Sequence, residues 1–217
     1  MPKARTAKPR KSVSIRAPSD FGTFNGPVRA RWLSDGRFMA LCNELQFIQH
    51  DGATWVAPVA TRTDGASIPP VFWSVIGGPF EGKYRDASVV HDYECCIKAR
   101  PWPAVHRMFY AGMMANGEAM WRAKLMYFAV YFFGPRWPAS EKRPDRNFME
   151  GDIARAAKHF QRHPEASLEE IEHLTRATLR KKIYALPQSV RGAALLSDRR
   201  KIQPVDRDGP CLEPGTC

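Results

Sequence analysis

Apolar and polar residues change rhythm about a third of the way along the chain, dividing it into a strand-forming part and a helix-forming part. Up to about residue 60 the apolar positions alternate in short runs, the signature of half-buried strands. Such runs cover residues 28–33, 37–42, 45–49 and 53–57, with Ser34-Asp35-Gly36 and His50-Asp51-Gly52 as turn signals between them. They predict successive hairpins in a small antiparallel sheet, with Trp32, Phe38, Phe47 and Trp55 as bulky face-packing residues. The next stretch runs from Thr61 to Pro70, where Asp64-Gly65 is a turn pair and Pro69-Pro70 stops any ladder. Phe72, Trp73, Val75 and Ile76 are spaced for a short helix plugging the sheet, and Gly77-Gly78-Pro79 ends it.

From Tyr84 onward the period lengthens to that of a helix. Helices are predicted over 84–98, 104–116 and 118–133, separated by Pro101 and Pro103 and then by Asn116-Gly117. The run 125–133 is almost wholly apolar but only nine residues long. A membrane span needs about 20 such residues, so this reads as a buried central helix. A polar linker reaches to about 147, and amphipathic helices follow over 148–163 and 168–186, the second with Ile171, Leu174, Leu179, Ile183 and Leu186 as its apolar set. The expected fold class is therefore α+β: a small antiparallel sheet, a three-helix unit and a helical C-terminal extension. The expected division is a basic arm over 1–20, a core domain over 21–140, a helical extension over 148–189 and a disordered tail over 190–217.

Composition refines this reading in two places. The formal net charge of +11 is concentrated at one end, because Lys3, Arg5, Lys8, Arg10, Lys11 and Arg16 precede the first acid. The arm would attract nucleic acid or another anionic surface in a salt-dependent way. It has no apolar run behind its basic residues, so no secretory signal is expected, and the location read from the sequence is cytoplasmic or virion-associated. Five cysteines form no disulfide framework and fit a reducing compartment, with a Cys211–Cys217 pair left open.

The candidate chemistry gathers around His91, inside the first long helix at the junction of the two halves. If that helix and the next form an antiparallel pair, His91 and His106 stand nine and six residues from the connection near Arg100. At 1.5 Å per residue this is an axial offset of about 4–5 Å, within side-chain reach. Asp92 follows His91 directly, and Asp64 on its Asp-Gly turn approaches from the sheet side. His91 is expected to be a base or ligand and His106 its second ligand or partner, with Asp64 and Asp92 binding a cation or orienting an imidazole. The expected ligand set is His91, His106 and Asp64, holding one divalent ion, zinc in preference to calcium. Cys95 and Cys96 diverge as adjacent residues on a helix and read as structural; the alternative for Cys95, one turn beyond His91, is a Cys-His ligand pair. Ser67 is an alternative nucleophile with His91 as its base. No phosphate-binding loop is present, since Gly77-Gly78-Pro79 lacks both pattern and lysine.

Several blocks together resemble the DUF1353 family, uncharacterised proteins found in bacteriophages, prophages and bacteria. They are Thr63-Asp64-Gly65-Ala66-Ser67-Ile68-Pro69 with Phe72-Trp73, then Ala87-Ser88-Val89-Val90-His91-Asp92-Tyr93, Phe109 with Met113, and the stretch 127–137. The resemblance covers roughly residues 24–137. In that family an aspartate usually stands three residues before the phenylalanine of the second helix; here that position is His106. The resemblance thus implies a His-Asp partnership turned into a His-His one. His91-Asp92 is also loosely similar to the catalytic pair of phospholipase A2, although the cysteines here follow the pair and no glycine-rich calcium loop is present. The leading expectation is a phage-derived, metal-dependent hydrolase acting on a cell-envelope or other polymer substrate through a water activated at the His/Asp site. The alternatives are a non-catalytic phage structural or host-interaction protein that binds its partner through the C-terminal helices, and a nucleic-acid-associated protein using the basic arm.

Overall fold

A computed structural model of the chain describes residues 17–65, 72–76, 82–138 and 148–179. Ser67, the basic arm over 1–16, the linker over 139–147, Cys211, Cys217 and the tail lie outside the described residues. The fold is α+β. Strands β1 (Gly22–Phe24), β2 (Ala30–Trp32), β3 (Met39–Leu41), β4 (Leu45–Gln49), β5 (Thr54–Ala57) and β6 (Arg62–Thr63) precede all the long helices.

The expected single sheet is in fact two three-stranded antiparallel sheets, ordered β1-β4-β5 and β2-β3-β6. Both predicted hairpins are present, with Phe47 opposite Trp55 in one and Trp32 opposite Met39 in the other. Strands β3 and β4 are joined by residues 42–44 but take different neighbours. The partners that separate them, β1 and β6, have three and two residues, too few to show any alternation. Strand β1 needs a glycine at its start, because a Cβ on Gly22 would lie 2.4 Å from the Ile48 carbonyl oxygen.

Helices follow as α1 (Trp73–Ile76), α2 (Arg85–Ile97), α3 (Trp102–Ala115), α4 (Met120–Phe133), α5 (Glu150–Arg162) and α6 (Leu168–Glu172). Helix α2 ends where Lys98 turns left-handed at φ 56°, and α3 begins with Pro103 in its first turn, where a missing N–H costs nothing. The two helices pack face to face. Gly112 on α3 permits this, since a Cβ there would sit 2.9 Å from the Ala87 Cβ. Leu45, Phe47, Trp55 and Ala57 from the first sheet close over Val89, Val90, Val105 and Met108 on the same helix pair. The His91–His106 contact is therefore roofed by a sheet.

Helix α4 is the central buried helix that its apolar run predicts; Leu125, Met126, Tyr127, Phe128, Ala129 and Val130 have no exposed surface. No helix among the described residues is long and apolar enough to cross a membrane. The C-terminal region packs on α4, and Phe148, Ile153, Phe160, Ile171, Leu174 and Leu179 share one core with Phe72, Phe109 and Phe128. Asp152 anchors it, accepting from Arg155 at 2.7 Å and from Arg176 at 2.9 Å. The expected helix over 168–186 is broken: α6 stops at Glu172 and helix resumes only at 176. Thr175 restarts it, its hydroxyl accepting from the Thr178 N–H at 3.1 Å as an N-cap. The break lets Arg107 on α3 reach both Glu169 and Glu172, at 2.8 and 2.7 Å.

Candidate metal centre

Helices α2 and α3 deliver one imidazole each to a common point. His91 Nε2 lies 2.8 Å from His106 Nδ1, a direct hydrogen bond between rings with no exposed surface. The Phe109 ring packs on His91 at a centroid distance of 4.7 Å, and Trp102 packs on His106 at 5.4 Å. One turn along α2, Cys95 places its sulfur 3.7 Å from His91 Nδ1 and 3.6 Å from Nε2. Donor atoms of His91, Cys95 and His106 all lie within 4.8 Å of one another, and all three residues are buried.

These separations can be compared with what an ion imposes. Zinc bonds of about 2.0–2.1 Å to nitrogen and about 2.3 Å to sulfur, at tetrahedral angles, place ligand atoms about 3.3 Å apart for N···N and about 3.6 Å for N···S. The sulfur is already at that distance from His91 Nε2. The rings need to part by about half an ångström to exchange their shared proton for a cation. A thiolate among the donors excludes the hard, oxygen-seeking calcium and suits zinc.

Asp92 stands behind His91, with Oδ1 3.9 Å from Nδ1. Its other oxygen accepts a hydrogen bond from the Thr63 hydroxyl at 2.6 Å. Asp64 is placed differently: its carboxylate pairs with Arg37 at 3.5 Å and does not belong to the converged set, in which Cys95 is the third donor. The i, i+4 spacing of His91 and Cys95 is legible in the sequence; Thr63 carries no signal beyond preceding the Asp-Gly turn. Cys42 and Cys95 are free thiols, whereas Cys96 is disulfide-bonded. That corrects the expectation of a plain structural thiol. Adjacent helical residues point about 100 degrees apart, so Cys96 leaves the buried face that holds Cys95.

The proton inventory of the pair is informative. Two neutral imidazoles carry two protons on four ring nitrogens. One proton occupies the contact between the rings, which leaves one for two outer nitrogens. Outer Nδ1 of His91 faces a carboxylate, and outer Nε2 of His106 is buried with no hydrogen bond formed. The Pro135 carbonyl lies against the His106 ring and favours a proton on it, but falls outside hydrogen-bond geometry. Both outer nitrogens carry a proton only when both inner nitrogens are deprotonated, and ligation of one cation produces that state.

Burial holds His106 well below the ordinary histidine range, with the charges of His91 and Arg136 acting in the same sense. Metal-free protein therefore keeps His106 neutral at a pH where the unfolded chain protonates it. Above the unfolded value of about 6.5 the two states bind equal protons; below it the unfolded state binds more, and stability falls. Between pH 7 and 5.5 this one group is expected to remove roughly 1 kcal/mol, read as a lower urea midpoint for metal-free protein. His106→Asn should lack that component.

Comparison with known proteins adds a family to this geometry. Residues 39–130 match the model of a family described as a protein of unknown function, DUF1353. Over that segment the chain is similar to DUF1353. The matched segment holds Thr63, Asp64, His91, Asp92, Cys95 and His106, so the whole candidate site lies within the residues that match. The uncharacterized protein y4jT of Sinorhizobium fredii (strain NBRC 101917 / NGR234) is 48% identical over 132 residues, which are 60% of this chain and 39% of the relative. The uncharacterized protein y4iH of the same organism is 41% identical over 103 residues, 48% of this chain and 43% of the relative. The chain thus spans about two fifths of the length of these curated DUF1353-region relatives. No solved structure matches it.

Proposed function

We propose that the protein is a metal-dependent hydrolase whose ion is held by His91, Cys95 and His106. The observation that carries this reading is the convergence of three buried donors, within 4.8 Å, at separations close to those of a tetrahedral zinc site. Three protein ligands are the number that leaves one coordination position open, and an ion so held supplies Lewis acidity and lowers the pKa of a bound water. His91 and His106 bind through their inner nitrogens and Cys95 as thiolate, with the Asp92 carboxylate facing the outer His91 Nδ1 at 3.9 Å. The substrate class we assign is a cell-envelope or other polymer, and the setting phage-derived, on the strength of the resemblance to DUF1353.

A second reading has its own observation. His91 and His106 have no exposed surface, and closed sites are the habit of structural zinc. In that reading the ion staples α2 to α3 in a non-catalytic phage protein. Partner binding through the C-terminal helices is the weaker half of it, since Ile171, Leu174 and Leu179 are already buried in the core.

Protein purified without a metal-binding tag is expected to carry about one equivalent of zinc and to lose melting temperature when the ion is removed by a chelator. Absence of bound divalent metal, together with no thermal shift on adding zinc, would refute the ion site. Loaded protein that releases no soluble product from purified cell-wall polymer, at any rate above a His106→Asn control, would leave the staple reading in place of the hydrolase.

A further inference from the structure

Behind the His91 ring, the smaller sheet reaches α2 through a buried hydrogen bond. Thr63 closes β6, and its hydroxyl lies 2.6 Å from Asp92 Oδ2; both residues are 1% exposed. The direction of this bond is fixed by a second one. The Gly65 N–H donates to the same hydroxyl oxygen at 3.1 Å, and the ionised carboxylate can only accept, so the hydroxyl proton goes to Asp92. The order is Gly65 N–H to Thr63 Oγ1, then Thr63 O–H to Asp92 Oδ2. The remaining carboxylate oxygen, Oδ1, is the one turned to His91 Nδ1 at 3.9 Å.

We propose that Thr63 is a positioning residue of the metal centre: through Asp92 it keeps the His91 proton on Nδ1 and so leaves the Nε2 lone pair for the ion. The ligand named here rests on the metal-centre reading above; the tautomer does not. Histidines that ligate metals commonly donate their other N–H to a carboxylate, which fixes ring orientation and raises ligand basicity. Thr63 contributes restraint on the carboxylate, because its β-branched side chain has few rotamers and sits on a strand paired to β3. The arrangement also explains why a threonine precedes an Asp-Gly turn at this point: the Gly65 N–H needs an acceptor where the ladder has ended.

The test uses the full-length chain with Thr63→Val, which keeps shape and loses the hydroxyl, and Thr63→Ser, which keeps the hydroxyl. Two quantities are measured: zinc affinity by competition with a chromogenic chelator, and the tautomer of His91 from ring nitrogen shifts of metal-free, nitrogen-15-histidine protein. Thr63→Val is expected to bind zinc about 10- to 100-fold more weakly, with Thr63→Ser near wild type. In the metal-free spectra, wild type and Thr63→Ser should show one Nδ1–H form of His91, and Thr63→Val a mixture. A staple with no positioning role would lower the melting temperature of Thr63→Val but leave affinity and tautomer unchanged, and that result overturns the proposal. If wild type binds no zinc, the metal-centre reading fails, and the tautomer comparison alone then decides the role of Thr63.

Discussion

Phe128→Ala is expected to lower the stability of the protein by about 3–5 kcal/mol, the upper end for a single core truncation. Phe128 has no exposed surface, and its ring meets Phe132 and Phe148 at centroid distances of 5.0 Å, Phe160 at 6.2 Å and Phe72 at 6.5 Å. Those neighbours come from α4, from the entry to α5, from α5 itself and from the residue before α1. The cavity would open where the C-terminal helices join the rest, walled by rigid rings that cannot collapse into it. A domain of this size has about 5–15 kcal/mol in total, so the variant should populate unfolded chain measurably. Phe128→Leu retains most of the volume and is expected to cost less than half as much. Urea midpoints measure the loss, and limited proteolysis locates it. Early cleavage between α4 and α5 is the expected pattern; two variants of equal midpoint would sink the account.

How far the sequence was legible varied with the size of the feature. Long periodic segments were: the span of α2, the proline-started α3 and the buried α4 follow from spacing and caps. The meeting of His91 with His106 followed from their distances of nine and six residues from a short connection, a purely geometric argument. Features resting on two or three residues were not legible. Strands β1 and β6 are too short to alternate, so one sheet was expected where two exist. The restart of helix at Thr175 hides inside an apolar spacing that continues undisturbed through Leu174 and Leu179. Asp64 and Cys95 show the same limit at the site. An acid on an Asp-Gly turn attracts a ligand assignment by type, but in the structure it pairs with Arg37. A cysteine on a helix is discounted by type, but four residues beyond a histidine it shares that histidine's face.

His106 is where removal of one side chain should change most. His106→Ala deletes a ligand, leaves His91 Nε2 without its 2.8 Å partner and opens a cavity beneath Trp102. A loss of about 2–4 kcal/mol is expected from an unpaired buried nitrogen together with lost packing, and zinc should no longer raise the melting temperature. His106→Asn separates these effects. An asparagine amide places a polar atom close to the position of Nδ1, so the His91 hydrogen bond survives while ligation is lost; amides are poor zinc ligands. This variant should keep most of its stability and lose the zinc-dependent shift as completely as alanine does. Were the pair held by its hydrogen bond alone, with no ion, His106→Asn would behave as wild type in its response to zinc. A variant that still takes up one equivalent of zinc would remove His106 from the ligand set, leaving His91 and Cys95 too few to hold an ion by themselves.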